Sequence, residues 1–243
     1  MEGSSSPRPY NVSQEGGKMA KSTAEKTPRP VARVGDTGLV ERRRAQIVEA
    51  ATRLVAHQGF AKTVVRDIAE EASISVGLVY EYVRSKEDIL FLIYEHWTRV
   101  WAEGLEAAIL SGKGPLEQLD AATTFLVRMA DRHADVTHLF YRETNNLSEQ
   151  GLAFAKAAER GKVEQVAAVV DEAVAKGLFR PETDSLLVAT NLVMLAHSWV
   201  LKGYLLRKGR SAAGYATSVV DTVVRGWATP AGRRAWDRRR SNS

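Results

Sequence analysis

Apolar residues recur at intervals of three and four from about position 40 onward, which is the spacing of amphipathic helices. In the first of these segments, Ile47, Ala51, Leu54 and Val55 share one helical face. No stretch shows the strict alternation of apolar and polar residues that is typical of a β-strand, and no long internal repeat is present. The pattern therefore predicts an all-α protein.

Residues that begin or end helices divide this pattern into nine predicted helices. Gly59 is expected to end the first helix in a left-handed conformation, and Thr63, Ser75, Ser85 and Asp184 are expected to cap the starts of later ones. The predicted helices cover approximately residues 40–57, 64–71, 76–83, 86–111, 115–134, 136–148, 151–176, 185–207 and 212–227.

The positive charge of the chain is concentrated at its ends. The net charge is +5, from 34 Lys and Arg against 29 Asp and Glu, and residues 1–44 and 233–240 each carry a balance of +4. Basic ends beside a nearly neutral body suit a polyanion such as DNA, although they also suit a chain that merely needs to stay soluble. Residues 1–39 hold few apolar side chains and are expected to be disordered, and residues 230–243 are expected to form a basic tail.

Several classes of protein are disfavoured by what the sequence lacks. The chain has no cysteine, no apolar run long enough to span a bilayer and no apolar core of a signal peptide, so we expect a cytoplasmic protein with no membrane partner. Its five histidines are scattered, and it has no Gly-rich phosphate loop, G-x-S-x-G or H-E-x-x-H motif. We therefore expect neither an enzyme nor a metal or cofactor site.

The second and third predicted helices have the spacing of a DNA-binding helix-turn-helix. Ile68, Ala69, Ile74 and Val79 are predicted to face inward and to fix the angle between these two helices. The first helix would supply the third side of this small core. Such packing would leave the outer face of residues 75–82 open to a major groove.

Residues 44–90 resemble the DNA-binding domain of TetR-type (TetR/AcrR) regulators. The resemblance lies in A-x-x-L-V-x-x-x-G-F, T-V-V-R-D-I-A and S-x-G-L-V-Y-x-Y-x-x-S-K-E-D-I-L, which all occur here in that order. Two positions depart from the family pattern: Ser73 stands where a turn glycine is usual, and Val83 stands where an aromatic residue is usual. Downstream of residue 90 the likeness is limited to the number and length of the helices.

The resemblance implies a ligand-responsive transcriptional regulator, and in particular a repressor that a small-molecule effector releases from a palindromic operator. It implies a helix-turn-helix domain at residues 40–86 and a ligand-binding and dimerisation domain at residues 87–229. The residues that it assigns to operator DNA are Arg44, Thr63, Arg66, Ser75, Val76, Gly77, Leu78, Tyr80, Glu81, Tyr82 and Lys86. For Tyr80 a purely structural role, packed on the helices with only its hydroxyl in water, is an equal alternative.

Polar and aromatic residues within the later, apolar helices are candidates for a ligand pocket, because burying a polar group without a partner is costly. The predicted ligand-binding residues are Trp97, Trp101, Phe125, Arg128, Met129, Tyr141, Arg142, Asn145 and Trp199. Each of them is also compatible with an ordinary core or interhelix position. The segment Leu-Phe-Tyr-Arg-Glu-Thr resembles family members that sense acyl-coenzyme A thioesters, so an acyl-CoA is one expected effector, and a hydrophobic drug-like or aromatic compound is the other.

The last two predicted helices are strongly apolar and are expected to form a four-helix bundle in a homodimer. The fourth helix joins the two domains, and its movement would change the separation of the two recognition helices. Two other functions remain open from the sequence: an all-helical enzyme, and an architectural protein that binds DNA without sequence preference. An enzyme would turn over its ligand, whereas an architectural protein would show no preference for a palindromic site.

Overall fold

The structure, a computed structural model, describes residues 37–241 as an assembly of α-helices with no β-strand among them. The family-level prediction of an all-α chain in two helical parts is confirmed. The helices are α1 (Thr37–Gln58), α2 (Val65–Glu71), α3 (Val76–Tyr80), α4 (Lys86–Leu110), α5 (Pro115–Arg132), α6 (Ala134–Glu143), α7 (Glu149–Ala175), α8 (Ser185–Leu201), α9 (Gly203–Leu206), α10 (Ala212–Trp227) and α11 (Pro230–Ser241), with a short 3₁₀ turn at Thr144–Asn146.

Local signals in the sequence set several of these boundaries. The Ser75 hydroxyl accepts a hydrogen bond from Leu78 N at the start of α3, and Ser85 with Asp88 forms a capping box at the start of α4. Asp184 caps α8. Gly59 adopts a left-handed φ of 83° just after α1, as its position predicts.

Two hydrophobic cores hold the chain together. The first is built from α1, α2 and α3 with the first half of α4, and it also takes in Leu139 of α6. The second is formed by α5, α7, α8 and α10 together with Leu105 of α4 and Trp236 of α11. Helix α4 contributes residues to both cores, and α6 contributes to the first. These two helices therefore connect the parts of the molecule.

Three predictions about the elements are wrong. The described residues form eleven α-helices rather than nine, because the predicted eighth helix breaks after Leu201 into α8 and α9 and because the predicted C-terminal tail is helical as far as Ser241. Thr63 does not cap α2: the capping position is Val64, which has no side-chain oxygen. Of the extension predicted to be disordered, residues 1–36 lie outside the described residues, and residues 37–39 belong to α1.

The basic C-terminal segment is a helix because it is anchored to the body. Trp236 is 1% exposed and its indole nitrogen donates to Asp221 of α10 at 3.1 Å. Arg239 forms ion pairs with Glu117 and Asp120 of α5. The burial of Trp236 removes apolar area from water, which a solvated tail would not do. The arginines of α11 are therefore held on a fixed surface.

Candidate DNA-binding surface and ligand cavity

The outer face of α3 is open, as a recognition helix requires. Tyr80 is 52% exposed and Val76 is 38% exposed, and Gly77 lies between them on the exposed side. Arg66, Ser75 and Glu81 are also exposed, while Leu78 and Tyr82 are half-buried. Val79 is fully buried and fixes α3 to the first core.

The turn between α2 and α3 has the geometry that normally calls for glycine. Ser73 has a φ of 55° and is the only described non-glycine residue with a positive φ. This conformation costs an L-residue roughly 1–2 kcal/mol. Two backbone hydrogen bonds nevertheless stabilise the turn between α2 and α3: Ile74 N donates to Ala69 O at 2.9 Å, and Ser73 N donates to Glu70 O at 3.0 Å.

Three residues that were assigned to DNA are engaged within the protein. Thr63 is fully buried and its hydroxyl donates to Gly59 O at 2.9 Å. Arg44 forms an ion pair with Glu95 of α4. The Lys86 ammonium donates to Ala61 O at 3.0 Å and lies 4.4 Å from the centroid of the Phe60 ring, so it is held at the loop between α1 and α2. Contact of all three with DNA stays a prediction.

A cavity of about 480 Å³ lies among α4, α6, α7 and α8. Its walls are mostly apolar and aromatic, which is the usual character of a small-molecule site. Tyr94 and Phe140 stack in it at 4.1 Å between ring centroids. The lining residues are Tyr94, Thr98, Trp101, Ala102, Thr137, Phe140, Tyr141, Thr144, Leu152, Ala155, Lys156, Ala158, Glu159, Lys162, Met194 and His197.

Of the nine residues predicted to bind a ligand, Trp101 and Tyr141 line this cavity. The other seven lie outside its lining: Trp97, Phe125, Arg128, Met129, Arg142, Asn145 and Trp199. The indole of Trp97 donates to Thr52 at 3.3 Å, and that of Trp199 donates to Asp131 at 2.8 Å and stacks on Tyr215. These two tryptophans therefore hold helices together.

The polar side chains of the cavity were not predicted from the sequence, apart from Tyr141. Lys162 is 7% exposed and its ammonium pairs with Glu159 at 2.7 Å. His197 is 8% exposed, and its Nδ1 lies 2.9 Å from the hydroxyl of Tyr141. A sequence signal for Lys162 exists: it stands on the face of α7 that also carries Val163, Val166 and Val170, where a lysine must be buried beside a partner.

Burial lowers the pKa of His197 to about 4, with a further lowering from the charge of Lys162 and an opposing effect of Glu159. His197 is therefore neutral at pH 7. The pKa of Tyr141 is raised, again by burial first and then by the charge of Glu159. Both side chains are uncharged in the folded protein near neutral pH.

This titration predicts a loss of stability in mild acid. The unfolded chain takes up a proton at His197 near pH 6.5, whereas the folded chain takes it up near pH 4. The unfolding free energy should therefore fall as the pH is lowered from 7 to 4, by roughly 2–3 kcal/mol from this residue. Urea unfolding at several pH values should give a shallower pH slope for His197→Gln, and equal slopes for the two proteins would contradict the assignment.

An ion pair on α6 links this helix to the end of α1. The guanidinium of Arg142 donates to Val55 O at 2.7 Å, and its Nε pairs with Glu143 Oε1 at 2.6 Å. Glu143, 4% exposed, also accepts from Phe60 N at 3.2 Å and from Asn146 at 2.7 Å. We call Arg142 and Glu143, with these contacts, the α6 clamp.

The charge of the clamp is stable at neutral pH. Burial acts to raise the pKa of Glu143, but hydrogen bonds from Arg142, Phe60 N and Asn146 outweigh it and hold that pKa below its usual value. The carbonyl oxygens that receive Arg142 lie in the last turn of α1, where a positive charge is favourable. The clamp adjoins Tyr141 in the sequence, so one helix turn contacts both the cavity and the DNA-binding part.

The exposed side of α8 carries several large apolar side chains beside Thr190 and Asn191. Leu186 is 57%, Leu187 48% and Leu195 36% exposed, and Met194 is exposed on the same helix. The apolar residues of α10 that were predicted to join this face behave differently: Tyr215, Val219, Val220 and Val223 are buried within their own chain, and Trp227 is half-buried. Among residues 37–241, no helix is both long and apolar enough to cross a bilayer.

Comparison with known proteins also divides the chain into an N-terminal and a C-terminal part. A family model described as bacterial regulatory proteins of the tetR family matches residues 47–93. A second, described as a tetracyclin repressor-like C-terminal domain, matches residues 112–227. The HTH-type transcriptional regulator HbdR of Aromatoleum sp. (strain CIB) is 32% identical over 202 residues, which are 83% of this chain and 88% of HbdR.

Solved structures share the fold at lower sequence identity. The regulator FadR of Bacillus subtilis, in complex with stearoyl-CoA, matches 74% of this chain and 97% of its own with a TM-score of 0.64 and 18% identity. AibR, in complex with isovaleryl coenzyme A and operator DNA, matches 75% of this chain and 96% of its own with a TM-score of 0.61 and 21% identity. Taken with the family models and HbdR, the helical architecture identifies this chain as a DNA-binding transcriptional regulator of the TetR family.

Proposed function

We propose that this regulator is a homodimeric repressor, which leaves a palindromic operator when an acyl-coenzyme A thioester enters the cavity of each subunit. The observation that carries the proposal is the position of α6. Tyr141 lines the cavity, and the neighbouring Arg142 and Glu143 hold the end of α1. The protein would act in the cytoplasm and would bind its effector without converting it.

The route from cavity to DNA is short. An acyl group placed between Trp101 and Tyr141 would push on α4 and α6, which both line the cavity. Movement of α6 would pull on the clamp and hence on α1, against which α2 packs. Dimeric helix-turn-helix proteins need their two recognition helices about one DNA turn apart, so a small tilt of each DNA-binding part would weaken operator binding. Ligand and operator would then each weaken the binding of the other by the same factor.

The chemistry of the cavity favours an acyl thioester over a wholly apolar compound. Its walls accommodate an acyl group, and Lys156 at its exposed edge, with Arg160 one turn further along α7, offers cations for the phosphates of coenzyme A. FadR and AibR were solved with acyl-CoA ligands, which supports the same ligand class here. Of the two arginines predicted to bind the ligand, Arg128 is exposed on α5 outside the cavity lining, and Arg142 is engaged in the clamp.

The exposed apolar side chains of α8 support a homodimer, since such side chains are typical of interfaces between subunits. Leu187→Glu is expected to place a charge in that interface and to yield a monomer that binds operator at least tenfold more weakly. Sedimentation and operator titration would measure both effects. Leu110→Glu changes a leucine that is 74% exposed elsewhere and should leave the dimer intact, and a Leu187→Glu protein that remained dimeric would refute the α8 interface.

The proposal as a whole is tested by selecting binding sites from random duplexes and then adding acyl-CoA thioesters of different chain lengths. We expect enrichment of a palindrome and release of the protein by a subset of the thioesters. Enrichment of no sequence would favour a nonspecific architectural binder, and turnover of the thioester would favour an enzyme. Tighter operator binding upon addition of the thioester would reverse the sign of the regulation and refute release.

A further inference from the structure

Three polar side chains meet at one wall of the cavity, where α4, α7 and α8 come together. Trp101, Lys162 and His197 are 6%, 7% and 8% exposed, respectively. The Lys162 ammonium lies 4.8 Å from the centroid of the Trp101 ring, and the rings of Trp101 and His197 are 6.5 Å apart. Polar groups buried at an apolar wall are costly unless they find partners, so their hydrogen bonds need to be accounted for one by one.

Some donors at this wall have no acceptor among the described residues. Lys162 has three N–H groups, and the hydrogen bond found for them is to Glu159 at 2.7 Å. The Trp101 indole nitrogen is buried and has no hydrogen-bond partner among the described residues. The Tyr141 hydroxyl lies 2.9 Å from Nδ1 of His197 and 3.8 Å from Sδ of Met194, so this hydroxyl and this imidazole have partners in each other.

The donors without an acceptor define what a ligand must supply. We infer that the effector carries a neutral acceptor oxygen, a keto or hydroxyl group, on the part of its acyl chain that fills the cavity, and that Lys162 selects it. Trp101 adds a second donor to the same wall. The inference rests on the proposed acyl-CoA effector. A carboxylate would fit less well, because the negative charge of Glu159 already accompanies Lys162 at this wall.

The direct test compares thioesters that differ only at the far end of the acyl chain. Isothermal titration with hexanoyl-CoA, 5-oxohexanoyl-CoA and adipoyl-CoA places a methyl group, a ketone or a carboxylate in the cavity. We expect the oxo compound to bind roughly tenfold more tightly than hexanoyl-CoA, as suits a hydrogen bond from a charged donor. Adipoyl-CoA should bind more weakly than the oxo compound.

Two variants assign the preference to its residues. Lys162→Met keeps the apolar stem and removes the charge, so it should reduce the preference for the oxo compound to less than about threefold while hexanoyl-CoA still binds. Lys156→Met is the matched control: it should weaken all three thioesters equally and leave their ratios unchanged. Trp101→Phe, which keeps the Lys162–Glu159 pair, serves as the second variant if Lys162→Met does not fold, and should also reduce the preference.

The outcomes separate this inference from the function on which it rests. Equal binding of hexanoyl-CoA and 5-oxohexanoyl-CoA, or tighter binding of adipoyl-CoA, would overturn the inference and leave an acyl-CoA effector standing. If none of these thioesters bound, the acyl-CoA proposal would fail. Methyl hexanoate and methyl 5-oxohexanoate fill the cavity without coenzyme A. The ratio of their binding affinities would then decide the inference.

Discussion

Glu143→Ala is expected to abolish most of the effector's control over operator binding while leaving effector binding intact. The substitution removes the acceptor of Phe60 N and the partner of the Arg142 guanidinium, so only the contacts of Arg142 with Val55 O and Ala56 O remain of the α6 clamp. Effector coupling typically changes affinity by about 5- to 150-fold. We expect the ratio of operator affinities without and with effector to fall to less than about threefold.

The same substitution should lower the unfolding free energy by about 3 kcal/mol, because it removes a buried charge that makes three hydrogen bonds. Operator titrations with and without effector, together with urea unfolding, measure both effects. Glu143→Gln retains an oxygen for Phe60 N and should fall between the two proteins. Glu106→Ala replaces an exposed glutamate near the far end of α4 and should change neither quantity. Full effector release in Glu143→Ala would show that control does not pass through the clamp.

The sequence predicts the DNA-binding part of this fold well because its signals are local. Ser75 caps α3 with its own hydroxyl, and Ser85 with Asp88 closes a box within four residues. Gly59 adopts a conformation that few other residues tolerate. Such features depend on neighbours in the chain, and they can therefore be predicted without the tertiary structure.

Where the sequence misled, a competing hydrogen-bond partner or a distant contact decides the outcome. Thr63 has the chemistry of an N-cap, but its hydroxyl turns to Gly59 O and its side chain is buried. The segment after Pro230 has the composition of a solvated tail, yet Trp236 and the acidic residues of α5 anchor it as a helix. An ion pair across 119 residues leaves no local signal.

The ligand cavity was hardest to predict, for a related reason. Aromatic residues at helical spacing favour an apolar site, but Trp97 and Trp199 have the same spacing and serve to hold helices together. The residues that distinguish the cavity, Lys162 and His197, lie on α7 and α8 and become neighbours only when these helices pack. The contact of Arg142 with Val55 O, 87 residues away, likewise has no signal in the sequence, and ligand binding by Arg142 stays a prediction.

Gly77→Glu is expected to abolish operator binding while the fold becomes slightly more stable. Gly77 is on the exposed face of α3, and a Cβ there would meet only the Ser75 hydroxyl, at 3.9 Å. The backbone can therefore accept a side chain, and glutamate is a better helix former than glycine by about 0.5 kcal/mol. A carboxylate on this face would lie close to the base edges of a major groove and would be repelled by the phosphates.

The expected loss of operator affinity is at least 100-fold, because a like charge at a desolvated interface costs several kcal/mol. Operator titration at fixed salt and thermal unfolding would measure the two opposite effects. The matched control is Gly226→Glu on α10, another exposed helical glycine whose Cβ would have open space around it. It adds the same charge to the chain, so it should leave operator binding nearly unchanged. Equal losses in both variants would mean that net charge governs binding, and unimpaired binding by Gly77→Glu would mean that α3 does not enter the groove.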